Sequence, residues 1–255
     1  MQKCAEYAII KFGDVMEKID GVWYMSGLSL NDSSRIKNID ELIGFVDAVG
    51  FVPLFANDIE WFSVEEHSAA QSWWTGREDD PWEMREAAAA SHRVAYGKFF
   101  NGKAGFISLT MLPFFVNFRR DGYDFDSLWD EGKAKLRQKK IMDLFTLRDE
   151  WFSYEMKKTA GFGKGKEKNF DGTINLLMQQ MYVVMCDFRK KLNKKGEEYG
   201  LMKCAKYSSP ESIWGYDEVT AKYCDEPEDS RQFVYEHLLR LYPAADKKAA
   251  LKLIG

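Results

Sequence analysis

The chain has 255 residues, 45% apolar and 15% aromatic, enough to bury a substantial core, which excludes a disordered or low-complexity protein. No apolar run approaches the roughly 18 residues a membrane helix needs; residues 104–118, an uncharged stretch as long as any in the chain, are fewer and contain Pro113. The net charge of −4 hides an asymmetry: residues 157–206 hold twelve Lys and Arg against five Asp and Glu, so this segment carries +7 and the rest −11.

Residues 1–37 offer two extended stretches, 7–12 and 22–30. Residues 38–49 read as a helix, with Asn38 or Asp40 as cap and Gly50 as stop, followed by a buried strand over 51–55. Ser63 and Glu66 have the spacing of a capping box, which predicts a helix carrying Trp73 and Trp74 to Gly76. Asp80-Pro81 opens the next helix, because proline at the first helical position lacks only a donor that would be orphaned anyway. Asn101-Gly102 lies between two alternating runs and predicts a hairpin with positive φ at both turn residues. Ser108 is placed to cap a short apolar helix to Phe118, and Asp126 or Ser127 a long one ending near Thr146.

Ser153 then reads as the cap of a short helix ending before Gly161, and Asp171 as the cap of a helix through Gln180. Tyr182 onward alternates, turns at NKKGEEYG, and alternates again to Tyr207. Centring that turn on Lys195 places Asp187 opposite Lys203, Phe188 opposite Met202 and Cys186 opposite Cys204. Helix, short helix, helix and basic hairpin is the order of a winged helix-turn-helix. Residues 210–214, 230–241 and 243–254 read as closing helices. The expected fold is α+β, mostly helical, with winged helix-turn-helix modules and β-hairpins. Its divisions are an α+β region over 1–126, a winged helix-turn-helix over 127–215, and C-terminal helices over 216–255, packed as one unit.

For chemistry, Cys4, Cys186, Cys204 and Cys224 show no CxxC spacing, and His67, His92 and His237 form no ligand pattern. No metal or other cofactor is expected, and the N-terminus lacks a signal peptide's apolar core, so the expected location is cytoplasmic. The glycine-rich run at 161–166 lacks the Lys-Ser/Thr ending of a nucleotide loop. Its lysines and those of the hairpin suit DNA phosphates instead: Lys164, Lys166, Lys168, Arg189, Lys190, Lys191, Lys194 and Lys195. Trp73, Trp74, Trp82, Arg85, Arg119, Arg120 and Tyr123 read either as core and buried ties or as a pocket stacking on a flat ring, with Asp80 at its edge.

The run NFDGTINLLMQQMYVVMCDFRKKLNKKGEEYG at 169–200, with DDPWEMR, YGKFF, KAGFIS and FRRDGYDFD, resembles the AlkZ-related family over residues 40–255. These compact bacterial proteins are relatives of the winged-helix alkylpurine DNA glycosylases AlkZ and YcaQ. The resemblance implies winged-helix modules, duplex DNA as partner, and metal-free removal of alkylated purines. It also implies a Gln, apolar, Gln motif at a helix end, whose amides position the attacking water. Compact relatives read LQMQTY where this chain reads Leu177-Met178-Gln179-Gln180-Met181-Tyr182, so only Gln180 matches and Met178 takes the first glutamine's place. A thioether accepts hydrogen bonds weakly and cannot donate, so the pair is broken unless Gln179 substitutes. In the enzymatic reading Gln180, Gln179 and Asp80 or Asp171 carry catalysis on damaged or alkylated duplex. In the alternative the chain is a non-catalytic winged-helix regulator or binding module; an interaction protein without DNA is a third possibility.

Overall fold

A computed structural model describes residues 17–19, 22–193 and 195–255; the extended stretch expected at 7–12 and the candidate Lys194 lie outside them. Strands β1 (Glu17–Ile19) and β2 (Val22–Tyr24) pair antiparallel, so the second strand ends well before residue 30. Helix α1 (Ile39–Val49) is capped by Asn38, whose side chain accepts from Glu41 N at 2.9 Å, and stops at Gly50 with φ 85°. Strand β3 (Phe51–Pro53) follows, fully buried.

The helix expected from Ser63 does not form. Half of its capping box does: Glu66 N donates to Ser63 Oγ at 3.1 Å, but the Glu66 carboxylate, which the box would place on Ser63 N, accepts from the Ser63 hydroxyl at 2.6 Å and from Trp61 N at 2.7 Å. The carbonyls of His67 and Ser68, which a helix would need, instead accept from Ile36 N and Leu28 N, each at 2.8 Å. The chain makes only a 3-10 turn at Ala70–Ser72 before helix α2 (Pro81–Ser91), which Asp80 caps.

Strands β4 (Val94–Phe100) and β5 (Lys103–Ser108) turn through Asn101 at φ 50° and Gly102 at φ 75°, as the dipeptide requires, and the sheet order is β3-β5-β4. Helix α3 (Leu112–Arg120) starts beyond Ser108, with Pro113 in its first turn and no side-chain cap. The long helix expected next is two, α4 (Phe125–Asp130) and α5 (Leu136–Met142), the second continuing into a 3-10 turn at Asp143–Thr146. Gly132, at φ 70°, donates to Trp129 O and Lys133 to Leu128 O, the paired bonds with which a glycine closes a helix.

The second three-stranded sheet frames the basic segment. Strand β6 (Glu150–Phe152) leads into α6 (Ser153–Thr159), then α7 (Phe170–Gln179), β7 (Val184–Leu192) and β8 (Glu198–Ser208), with sheet order β6-β8-β7. Ser153 is the first helical residue and not the cap; Asp171 lies inside the first turn of α7, with Asn169 ahead of it at φ 66°. The hairpin is centred on Lys195 as predicted at its tip, where Leu192 pairs with Glu198 and Lys191 with Tyr199. Below the tip the predicted register fails. Gly200 at φ 87° opens a bulge over residues 200–202, and Lys190 then pairs with Lys203, Arg189 with Cys204, Phe188 with Ala205 and Asp187 with Lys206. Helices α8 (Pro210–Trp214), α9 (Tyr216–Val219), α10 (Pro227–Leu241) and α11 (Lys247–Ile254) complete an α+β fold. Leu42, Phe51, Phe115, Leu177, Leu238 and Ile254 are buried in one continuous core. Among the described residues no helix is long and apolar enough to cross a membrane.

Candidate nucleic-acid interface

Helix α7 is amphipathic. Phe170, Thr173, Ile174, Leu177 and Met178 are buried, while Asp171 and Gly172 are exposed and Asn175, Leu176 and Gln179 half-buried. Its C-terminal end is fastened by two neighbouring arginines of α3. Arg119 donates to the carbonyls of Phe99 at 2.8 Å, Gln179 at 3.2 Å and Ile254 at 2.8 Å. Enclosure without a counter-ion lowers its pKa to about 9. Arg120 donates to Met181 O at 2.7 Å and to Glu211 at 2.5 Å, and its guanidinium lies 4.6 Å from the centre of the Tyr182 ring. Met181 is held at φ 64°, which aims the chain from the helix into β7. These arginines therefore satisfy carbonyls at the helix end, a role that the spacing in FRRDGYDFD does not reveal.

The glutamines stand at this junction. Gln180 Oε1 accepts from Gln138 Nε2 of α5 at 2.7 Å, and Gln138 Oε1 accepts from Lys135 N at 3.0 Å. Gln179 Nε2 donates to Asn175 O at 3.4 Å. Met178, in the first glutamine's place, is 0% exposed. The Gln138 partnership was not visible in the sequence, since no local pattern links α5 to the end of α7.

The remaining pocket candidates occupy two other places. Asp80, 1% exposed, accepts from the main-chain nitrogens of Trp74, Gly76 and Trp82, so its carboxylate caps and ties the start of α2. Arg85 lies 3.6 Å from the centre of the Trp82 ring and 4.6 Å from that of Phe188, and Trp73 stacks on Phe55 at 5.5 Å. Protein groups thus lie against these rings; Trp74 is 48% exposed. Tyr123, on the α3 side, carries Lys133 over its ring at 4.0 Å.

The basic residues are arranged differently. In the loop before α7, Lys164, Lys166 and Lys168 are exposed, while Glu167 between them turns back to Arg137 at 2.9 Å and Lys140 at 3.3 Å. Those bonds hold the Glu167 carboxyl below its usual range. On the hairpin Lys195 is exposed and Lys190 and Lys191 half-buried, with Lys191 5.6 Å from the Tyr154 ring centre. Arg189 is engaged by Asp187 at 2.8 Å. Lys203 is engaged from α2 by Glu83 at 2.7 Å and Glu86 at 2.6 Å. Among the described residues no His, Cys, Asp and Glu group could hold a metal ion. One cleft runs between α2 and the hairpin, floored by Met84, Ala87 and Phe188, and another lies beside Trp151 and Tyr154; neither is lined by Gln179 or Gln180.

The geometry defines an α+β protein in which a helix pair and a three-stranded sheet carry a lysine-flanked helix. Residues 36–255 match the model of the family described as AlkZ related, and the chain belongs to that family. No curated protein and no solved structure matches the chain.

Proposed function

We propose that this protein binds duplex DNA through a winged helix-turn-helix built from α5, β6, α6, α7 and the β7–β8 wing, and does not excise bases. The carrying observation is the placement of charge: exposed lysines stand in the loop before α7 and on the hairpin after it. Phosphates on either side of a groove would meet these lysines while the helix faces the groove between them. The sheet order β6-β8-β7, with the wing's two strands adjacent, supports this reading.

Three observations favour a binding module over a glycosylase. Met178 is sealed in the core, one acceptor site of the Gln180 side-chain oxygen is taken by Gln138, and the Asp80 carboxylate already accepts from three main-chain donors. An amide that polarises water needs an unoccupied acceptor aimed at the reacting centre.

Fluorescence anisotropy across a salt series tests the reading. Contact with four to six phosphates predicts a log-log slope of roughly −4 to −5. Replacing Lys190, Lys191 and Lys195 together by Ala should flatten it by about 2 to 3 units. A slope unmoved by that change would remove the hairpin from the interface. Abasic sites produced on methylated duplex by the unmodified protein would overturn the non-excising part.

A further inference from the structure

The exposed side of α7 has a property the lysines around it lack: it is almost uncharged. Around the helix, at 100° per residue, Asp171, Asn175, Gln179, Gly172 and Leu176 occupy one continuous arc, with no Lys or Arg among them. Positive charge stands on the flanks, in the loop before the helix, on the hairpin after it and on α6, whose Lys157 lies 5.9 Å from the Phe170 ring centre. Lysines on phosphates hold any sequence alike, so discrimination falls to whatever the helix itself presents to the base edges.

Of the two amides on that arc, only one is disengaged. The Gln179 side chain is turned back on Asn175 O through Nε2, which also lies beside Gly102 at the β4–β5 turn, while the Gln179 main-chain carbonyl is held by Arg119. The Asn175 side chain makes no hydrogen bond to protein among the described residues, although it is half-buried and lies one turn from the helix start. Beside it Gly172 leaves the helix surface low. A side chain there would meet Asn169 Oδ1 at 2.4 Å, so no neighbour from that position shields Asn175.

Resting on the DNA-binding reading above, we propose that Asn175 reads a base edge in the major groove and selects adenine. An amide presents one donor and one acceptor side by side, the complement of adenine N7 and N6 in that groove. The groove is about 12 Å wide and accepts a helix of about 10 to 12 Å with its side chains.

The full chain would be used to select duplexes from a randomised pool, and the bound fraction sequenced. A motif containing an invariant adenine is expected. Changing that adenine to guanine should weaken binding about 5- to 150-fold, the range of one bidentate base contact. N175A should abolish that ratio, and because alanine favours helix at a half-exposed position the variant remains folded. If N175A keeps the ratio, or the unmodified chain binds duplex with a flat sequence profile, the assignment to Asn175 is overturned while DNA binding stands. Absence of any duplex binding would overturn both.

Discussion

Around α2, Asp80, Trp82 and Arg85 turn their polar and ring surfaces toward other protein groups, whereas around α7 Lys164, Lys166 and Lys168 point into solvent. Both stretches looked functional because both concentrate charged residues. The difference lies in what remains unsatisfied after folding. A buried carboxylate with three main-chain donors has little capacity left for a ligand, and an arginine between two rings presents them no free face. An exposed lysine keeps its full charge and its hydration, which only an anion of another molecule would replace. Arg119 and Arg120 belong with the first group although they lie beside α7: they hold the helix end so that its outer face has a fixed position.

The contrast predicts unequal responses. The largest is at Arg120. R120M leaves Glu211 and the Met181 carbonyl without their donor, at a cost of about 2 to 4 kcal/mol, tempered because the Glu211 side chain is 25% exposed. Denaturant unfolding measures it, and K164A in the same experiment should move stability by less than about 0.5 kcal/mol. Equal losses in the two variants would break the division between internal and external charge.

A middling effect is expected at the motif. M178Q inserts an amide without a partner into a fully buried site, costing about 1 to 3 kcal/mol, and should yield no abasic product on alkylated duplex. Unchanged stability together with base excision would mean that the helix end opens to a reaction centre, and the glycosylase reading would replace the present one.

The smallest effect sharpens the comparison where its two halves meet. Lys203 of the hairpin is held by Glu83 and Glu86 of α2, so acidic groups of one region neutralise a base of the other. E83Q, at a 40% exposed side chain, should alter stability by less than about 1 kcal/mol, with Glu86 left in place because it also pairs with Arg85 at 3.1 Å; loosening Lys203 should steepen the salt slope of DNA binding by up to about 0.9, one more phosphate contact. A slope that stays put would place Lys203 outside the DNA footprint.

What the chain reveals by itself is what neighbours in sequence decide. Asn38 and Gly50 bound α1, Asp80-Pro81 opens α2, Asn101-Gly102 turns β4 into β5, and the hairpin tip centres on Lys195, each through contacts a few residues apart. The excess of lysine over 157–206 was equally legible, because charge needs no partner to be counted. Tertiary structure decided the rest. The Ser63 cap accepts from Glu66 N but started no helix, because segments more than thirty residues earlier took the carbonyls of His67 and Ser68. Gly132 divided a helix through bonds only three and five residues back, a local stop inside a pattern that looked continuous, whereas a bulge at residues 200–202 moved the hairpin register by three. At the candidate site, the burial of Met178 and the bond from Gln138 to Gln180, 42 residues apart, determined which amides remain available. Hydrogen-bonding capacity is set by which distant groups arrive first at each donor and acceptor, and only the folded chain brings those groups together.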